Sequence, residues 1–387
     1  MSGRQPADRR SHPRGPDPQA AGAGLSGRGR WAARELLRRH AFWGVVAILF
    51  LLGLNVARNP SYLAITVNPA NGNLSGNLID ILRAAAPILM IAIGMALVIA
   101  TSGIDLSVGS LMAVAGAVSM EFLQAVGDPT SVPAMLGALG LALALTGLLG
   151  AVNGLLVSVV GLQPFISTLV MMLAGRGLAK VITSGQNTAA ANEPYRWIAN
   201  GYLIGLPAVF LLAVAVAALV AVIVRRSALG LMIEAIGINP RASRMAGVKR
   251  RGLIVAVYAI SGVLAGVAGV FAVSSVMTVD VSRTGYQLEL DAILAVVIGG
   301  TALSGGKFSL GGATVGSLLI ATLDKTVVYL GVSSSATPAF KAAVIIVLCL
   351  LQSEQVRALV TRRRRAAAAP VAAEPGHRAR SEAEVTA

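Results

Sequence analysis

Along this chain apolar residues gather into runs of about twenty, parted by short polar joints marked with glycine, proline or charge. A helix rises about 1.5 Å per residue, so each run can cross the roughly 30 Å hydrocarbon layer of a bilayer. The runs fall at 41–57, 84–101, 106–126, 133–160, 164–183, 203–224, 252–274, 290–304, 309–330 and 337–353. They predict an all-α polytopic membrane protein with about ten transmembrane helices. The run 133–160 is long enough to tilt or break, and 290–304 is short. The membrane domain would occupy 41–355, interrupted by a polar island at 225–251, between basic tails at 1–40 and 356–387. Within those tails, residues 1 to about 30 and 362–387 are rich in Pro, Gly, Arg and Ala and are expected to be disordered.

Composition agrees, with 55% hydrophobic and 13% charged residues over 387 positions and a mean hydropathy of +0.75. A soluble domain carries about 25% charged residues. The net charge of +15 would suit a nucleic-acid partner if it formed a surface, but its placement argues against one. Residues 1–40, the island, 357–387 and Lys307 together hold 24 of the 32 Lys and Arg residues. With ten spans all four places share one side, which the positive-inside rule assigns to the cytoplasm, together with both termini. Tyr62, Tyr195, Trp197, Tyr202, Tyr286 and Tyr329 fall in or beside the opposite loops, either as an interfacial belt or as a face for an external partner. The basic N-terminus before Ala41–Ala57 imitates a signal peptide; without a convincing cleavage site it reads as an uncleaved first span. Cys349 lies in an apolar run and reads as packing, and His12, His40 and His377 lie in tails or at a boundary. No disulfide, metal site or cofactor is expected.

The island Arg225–Arg251, RRSALGLMIEAIGINPRASRMAGVKRR, holds seven basic residues and one acid, Glu234. Asn239 followed by Pro240 is a helix start, and Gly247 is a C-terminal stop. This predicts a helix of one to two turns across the cytoplasmic membrane face. Gly237, Ala242, Ala246 and Gly247 flank the cap, and small residues let another protein approach closely. A loop that only anchors the topology is the plainer alternative.

Two turns share the spacing S-G-x-x-apolar-S-apolar-G: Ser102, Gly103, Leu106, Ser107, Val108, Gly109, and Ser304, Gly305, Phe308, Ser309, Leu310, Gly311. Repeated turns of this kind point to duplicated architecture, common in transporters. Asp105 and Lys307 occupy matching positions, so they could pair; Asp105 could equally cap span three. Polar groups inside the spans are Asn153, Gln163, Ser167, Thr168, Arg176, Glu289, Asp291, Asp324 and Lys325. Arg176 could pair with Asp291 or Asp324 as a purely structural bridge. The amides and hydroxyls of Asn153, Gln163 and Thr168 suit a neutral polyol, and with Arg176 they form the candidate substrate pathway. Pro87, Pro164 and Pro207 and the glycines Gly299, Gly300, Gly305 and Gly306 offer hinges or broken backbone. No nucleotide-binding loop is present: the nearest approach has Thr301 where glycine should start it and Phe308 where the magnesium-binding hydroxyl should end it. Hydrolase and metalloenzyme motifs are also missing.

The runs AIGMALVIATSGIDLSVGS (92–110), EAIGINPRASRMAGV (234–248) and LELDAILAVVIGGTALSGGKFSLGG (288–312) together resemble the permease subunits of bacterial sugar ATP-binding-cassette importers of the ribose, xylose and galactofuranose group. LQPFISTLVMMLAGRGLAKVITSGQ (162–186) looks most like the galactofuranose permeases. The resemblance covers roughly 78–355, with no counterpart for the tails or 58–77. It implies a multi-pass subunit of the bacterial inner membrane that carries a pentose or galactofuranose-like monosaccharide. A cytoplasmic ATP-binding subunit would drive it, a periplasmic or surface-tethered sugar-binding protein would feed it, and an identical or sister permease would complete the pathway. Glu234, Gly237, Asn239, Pro240, Arg241, Ala242, Ala246 and Gly247 would enter the ATPase groove. Gly103, Asp105, Ser107, Gly305, Lys307 and Ser309 would shape the paired turns. Against this stand an ion-coupled carrier, which should show an intramembrane acid or histidine relay, and a membrane enzyme acting on lipid-linked sugar.

Overall fold

A computed structural model describes residues 40–352 apart from 68, 70, 71 and 334. The two basic tails, except His40, lie outside those residues, as do His12, His377 and the side chain of Cys349. The helices in chain order are α1 (His40–Arg58), α2 (Asn77–Ala100), α3 (Val108–Val126), α4 (Val132–Leu155), α5 (Pro164–Ile182), α6 (Glu193–Asn200) and α7 (Ala208–Arg226). They continue as α8 (Leu229–Ile238), α9 (Pro240–Met245), α10 (Arg250–Val276), α11 (Leu288–Ile298), α12 (Leu310–Tyr329) and α13 (Thr337–Gln352). Three two-stranded antiparallel ribbons clip the loops: β1 (Thr66–Val67) with β2 (Leu74–Ser75), β3 (Thr188–Ala189) with β6 (Thr278–Val279), and β4 (Tyr202–Leu203) with β5 (Leu206–Pro207).

Among the described residues seven helices are long and apolar enough to cross a membrane: α1, α2, α3, α4 with its continuation, α5, α7 and α10. The long run at 133–160 neither splits nor ends early. It stays helical through α4 and closes in a π turn at Leu156–Val160, stopped by left-handed Gly161. The short run expected at 290–304 becomes the 11-residue α11, only about 16 Å long and so half a crossing. Left-handed Gln287 precedes it and Gly300, at φ +95°, follows its end. The second span begins at Asn77, well ahead of Pro87, which sits inside α2. Pro87 removes a ladder hydrogen bond there, which neighbouring helices make tolerable in a membrane helix.

The core centres on α2 and α10. Every residue from Ile88 to Ala100 is buried, and α10 packs against α4, α2 and α3. Gly150 lies against Gly262 and the Tyr258 carbonyl, and Gly154 against Val255, so the backbones of α4 and α10 nearly touch. In lipid, where neighbouring hydrocarbon offers no hydrophobic drive, such close packing holds helices together. α12 carries its own polar load: Thr314, Ser317, Thr322 and Thr326 each donate to the carbonyl four residues back. Thr326 also accepts from Asn55 Nδ2 at 2.8 Å, fastening α1 to α12.

Candidate functional site

α3 does not start where α2 ends. After Ala100 the chain turns through Ser102, at φ +62°, and runs without helix to Ser107. Along this stretch Asp105 Oδ2 accepts a hydrogen bond from Ser261 Oγ at 2.8 Å. Ser261 lies 11 residues into α10, roughly 16 Å from its N-terminal end. The N-terminus of α3 therefore lies inside the bundle, beside the first half of α10. A second break reaches the same level from the other side: Gly109, in the first turn of α3, abuts the Gly285 carbonyl and Glu289 Oε2, and no side chain fits at either glycine. The segment 280–287 thus dips into the bundle before α11 begins. Two helix N-termini, each with unpaired N–H groups and a positive dipole end, face this junction.

Asp105 is fully buried, and among the described residues it has no cationic partner. The Ser107 N–H (3.0 Å), Ser107 Oγ (2.6 Å) and Ser261 Oγ hold it instead. Asn153 Nδ2 donates to Ser107 Oγ at 2.9 Å, and Ser167 Oγ to Asn153 Oδ1 at 3.4 Å. Thr168 Oγ1 donates to the Ile104 carbonyl at 3.2 Å. These side chains form one sealed network tying the α2–α3 turn to α4, α5 and α10. The expected Asp105–Lys307 ion pair is not formed, because Asp105 is sealed inside while Lys307 is exposed. Asp105 instead stands at the start of α3 and accepts the Ser107 N–H, the bond a capping side chain makes, while Ser107 itself makes no side-chain cap bond.

The four candidate pathway residues separate accordingly. Asn153 and Thr168 are closed inside this network, and Gln163 is exposed at the N-cap position of α5. Arg176 reaches the junction, where its Nη1 donates to the Thr284 carbonyl at 2.5 Å and the Val281 carbonyl at 3.2 Å. It does not pair with Asp291 or Asp324. Those acids share Lys341 of α13, whose Nζ lies 2.6 Å from Asp324 Oδ1 and 3.0 Å from Asp291 Oδ2. Beside Arg176, Ser282, Arg283 and Gln287 are exposed, as are Tyr286 (64%) and Leu290 (50%). Lipid tails cannot satisfy irregular backbone at this depth, so this face must border water or another protein chain.

In the polar island the Asn239 side chain accepts from the N–H groups of Arg241 (3.0 Å) and Ala242 (3.1 Å), capping α9. Gly247 follows with φ +83°. Asn239, Pro240, Arg241, Arg244 and Met245 with Arg250 line an open pocket of about 650 Å³. Met245 is 90% exposed. Ala242, Ala246 and Gly247 are exposed, and Glu234 is partly so. Gly237 faces the other way. A side chain there would run into the Ala100 carbonyl and the Gly306 nitrogen, so only glycine fits. Its carbonyl accepts from Ser102 Oγ at 3.1 Å, and the same hydroxyl lies 2.9 Å from the Ser304 carbonyl. Gly306 N–H donates to the Ala100 carbonyl at 2.9 Å. Ser102 and Ser304 are the equivalent first residues of the two repeated turns, so the turns meet there and the α8–α9 segment is locked onto both. Ser309 caps α12 by accepting from Gly312 N–H at 3.0 Å.

The family model described as "Branched-chain amino acid transport system / permease component" matches residues 77–351. The fructose import permease of Bifidobacterium longum is 52% identical over 330 residues, 84% of this chain and 91% of the relative. The galactofuranose transporter permease of Escherichia coli is 40% identical over 81% of this chain and 90% of its own. The ribose import permease of the same organism is 36% identical over 80% and 93%. No solved structure matches. Each of these matches covers most of the chain, and the chain belongs to this family of transport-system permeases.

Proposed function

We propose that the chain is the membrane-spanning subunit of an ATP-driven monosaccharide importer in the bacterial plasma membrane. Two such subunits, identical or sister, enclose the pathway, with the exposed 282–290 face of each turned toward it. The relatives' names favour a sugar able to close a five-membered ring, since fructose, ribose and galactofuranose all do so. Arg176, Gln287, Tyr286 and the first turn of α11 offer that sugar hydrogen-bond donors and acceptors, with the polar N-terminus of a broken helix beside the pathway as in other transporters. A nucleotide-hydrolysing partner grips α9 through Asn239, Pro240, Arg241, Ala242 and Ala246, with Glu234 and Gly247 at its edges, and a sugar-binding protein meets the opposite face.

The observation that carries this reading is the Ser102 hydroxyl between the carbonyls of Gly237 and Ser304. Through it a displacement of α9 reaches both re-entrant turns at once, and those turns lead directly into α3 and α12. Work at the cytoplasmic surface is thereby delivered to the mid-depth junction. Nucleotide shifts such an equilibrium only by its differential affinity for the two states.

The test is uptake of labelled fructose and ribose in cells expressing the chain with its ATPase and binding protein. A cysteine at Met245, with Cys349 replaced by serine, should crosslink to the ATPase while uptake continues. Uptake with no such crosslink would remove the coupling role. An ion-coupled carrier would instead use the Asp291–Lys341–Asp324 cluster, and collapse of uptake on dissipating the proton gradient at constant ATP would favour it.

A further inference from the structure

The outer face carries a second polar site away from the mid-depth junction. α6 is a short helix with two opposed faces. Tyr195, Ile198 and Ala199 are buried against the bundle. Glu193, Arg196, Trp197 and Asn200, spaced i, i+3, i+4 and i+7, line a pocket of about 610 Å³ together with Thr130, Pro194 and Gly201. A volume of that size lies within the roughly 300–1,000 Å³ of small-molecule sites.

The pocket is held firmly. Asn192 caps α6 through Tyr195 N–H at 2.9 Å, and its Nδ2 donates to the carbonyls of Asp128 (3.2 Å) and Ser131 (3.0 Å). Glu193 N–H donates to the Pro129 carbonyl at 2.7 Å. Asn200 Nδ2 donates to the Ser275 carbonyl at 3.0 Å, leaving its own carbonyl oxygen to accept. The Trp197 indole folds back against Gly201, where any side chain would strike it, yet 47% of the residue remains exposed. Glu193 and Arg196 lie 3.7 Å apart with their side chains mostly in solvent. A fixed aromatic plate beside a carboxylate, a guanidinium, an amide oxygen and the Thr130 hydroxyl matches a saccharide: the ring's C–H face needs an apolar platform, and its hydroxyls need donors and acceptors together.

We propose that this pocket is a vestibular sugar site, which receives a monosaccharide on Trp197 and hydrogen-bonds its hydroxyls through Glu193, Arg196 and Asn200 before it reaches the mid-depth junction. The proposal rests on reading the chain as a sugar permease with this face outward. Its openness to solvent makes it a weak, millimolar site.

Saturation-transfer NMR on the full chain in lipid nanodiscs, with D-fructose and D-ribose as probes, tests it. The expected result is transfer to the sugar ring protons that falls at least fivefold in Trp197→Ala and in the double variant Glu193→Gln/Arg196→Gln, and is retained in Trp197→Phe. Because Glu193 and Arg196 are exposed, the double variant reads the site even if Trp197→Ala fails to fold. Unchanged transfer in the double variant, or none from the native chain while the assembled importer still takes up sugar, overturns the vestibule and leaves the permease reading standing. Failure of uptake itself, with ATPase and binding protein present, would instead strike the permease reading. Loss of stimulation by the binding protein in the double variant, with sugar transfer intact, would give the surface to the protein partner and overturn the sugar site.

Discussion

At the scale of single residues, neighbouring positions in the polar island have opposite duties. Gly237 is a joint with no room for a methyl group, so Gly237→Ala should destabilise the fold by about 1–3 kcal/mol, the usual range for overpacking, and lower the thermal midpoint of detergent-purified protein. Exposed Ala242→Glu should leave that midpoint within a degree or two and abolish co-purification of the ATPase. The small-residue pattern read both as partner surface; the contact with the Ala100 carbonyl, 137 positions away in the chain, decides otherwise for Gly237. Asn153 sits in a sealed network, and its loss leaves buried Ser167 Oγ without its partner while Ser107 keeps Asp105, so Asn153→Ala should cost about 1–3 kcal/mol. Retained stability with altered sugar preference would instead put Asn153 on the pathway.

At the scale of elements, hydropathy located the spans because burial in lipid is read residue by residue, and the Asn239-Pro240 cap with Gly247 was legible because capping is local. The shortness of the run at 290–304 and the start of span three near 106 were legible too, but the meeting of Gly109 with Gly285 was not, since an apolar run does not record what its helix start packs against. α6 escaped notice because its polar face resembles a loop, and the two-residue strands are too short to leave a period. Lys341 was missed because its partners lie 50 and 17 positions away and it stands at the edge of an apolar run. It now makes a prediction: Lys341→Met leaves the buried Asp291 carboxylate and the partly exposed Asp324 carboxylate unpaired and should cost up to about 3 kcal/mol, while adding Asp291→Asn and Asp324→Asn should recover most of that. No recovery would show that Lys341 acts outside the cluster. On the outer face, hydrogen bonds from the Thr130 N–H and hydroxyl hold Asp128 below the ordinary aspartate value. A depressed carboxylate contributes stability above its unfolded value and loses it as pH falls through the folded one. Amide-exchange protection at Thr130 should therefore survive mild acid and disappear only below the ordinary aspartate range.

At the scale of the whole molecule, the repeated turns are the organising device. They lie about 200 positions apart in the chain, yet Ser102 and Ser304 touch, and the α8–α9 segment closes onto the same point. The repeat was visible as a spacing of Ser and Gly, whereas the meeting of the two copies was not, because it depends on how α2, α10 and α12 pack. Sealing Asp105, Asn153 and Thr168 on one side of the turns and opening the 282–290 face on the other gives the bundle a rigid flank and a wet one. The most direct test of this arrangement is the amount of sugar imported per ATP hydrolysed by the assembled transporter carrying Ser102→Ala. The account predicts that hydrolysis continues while import falls at least tenfold. An unchanged ratio would contradict it.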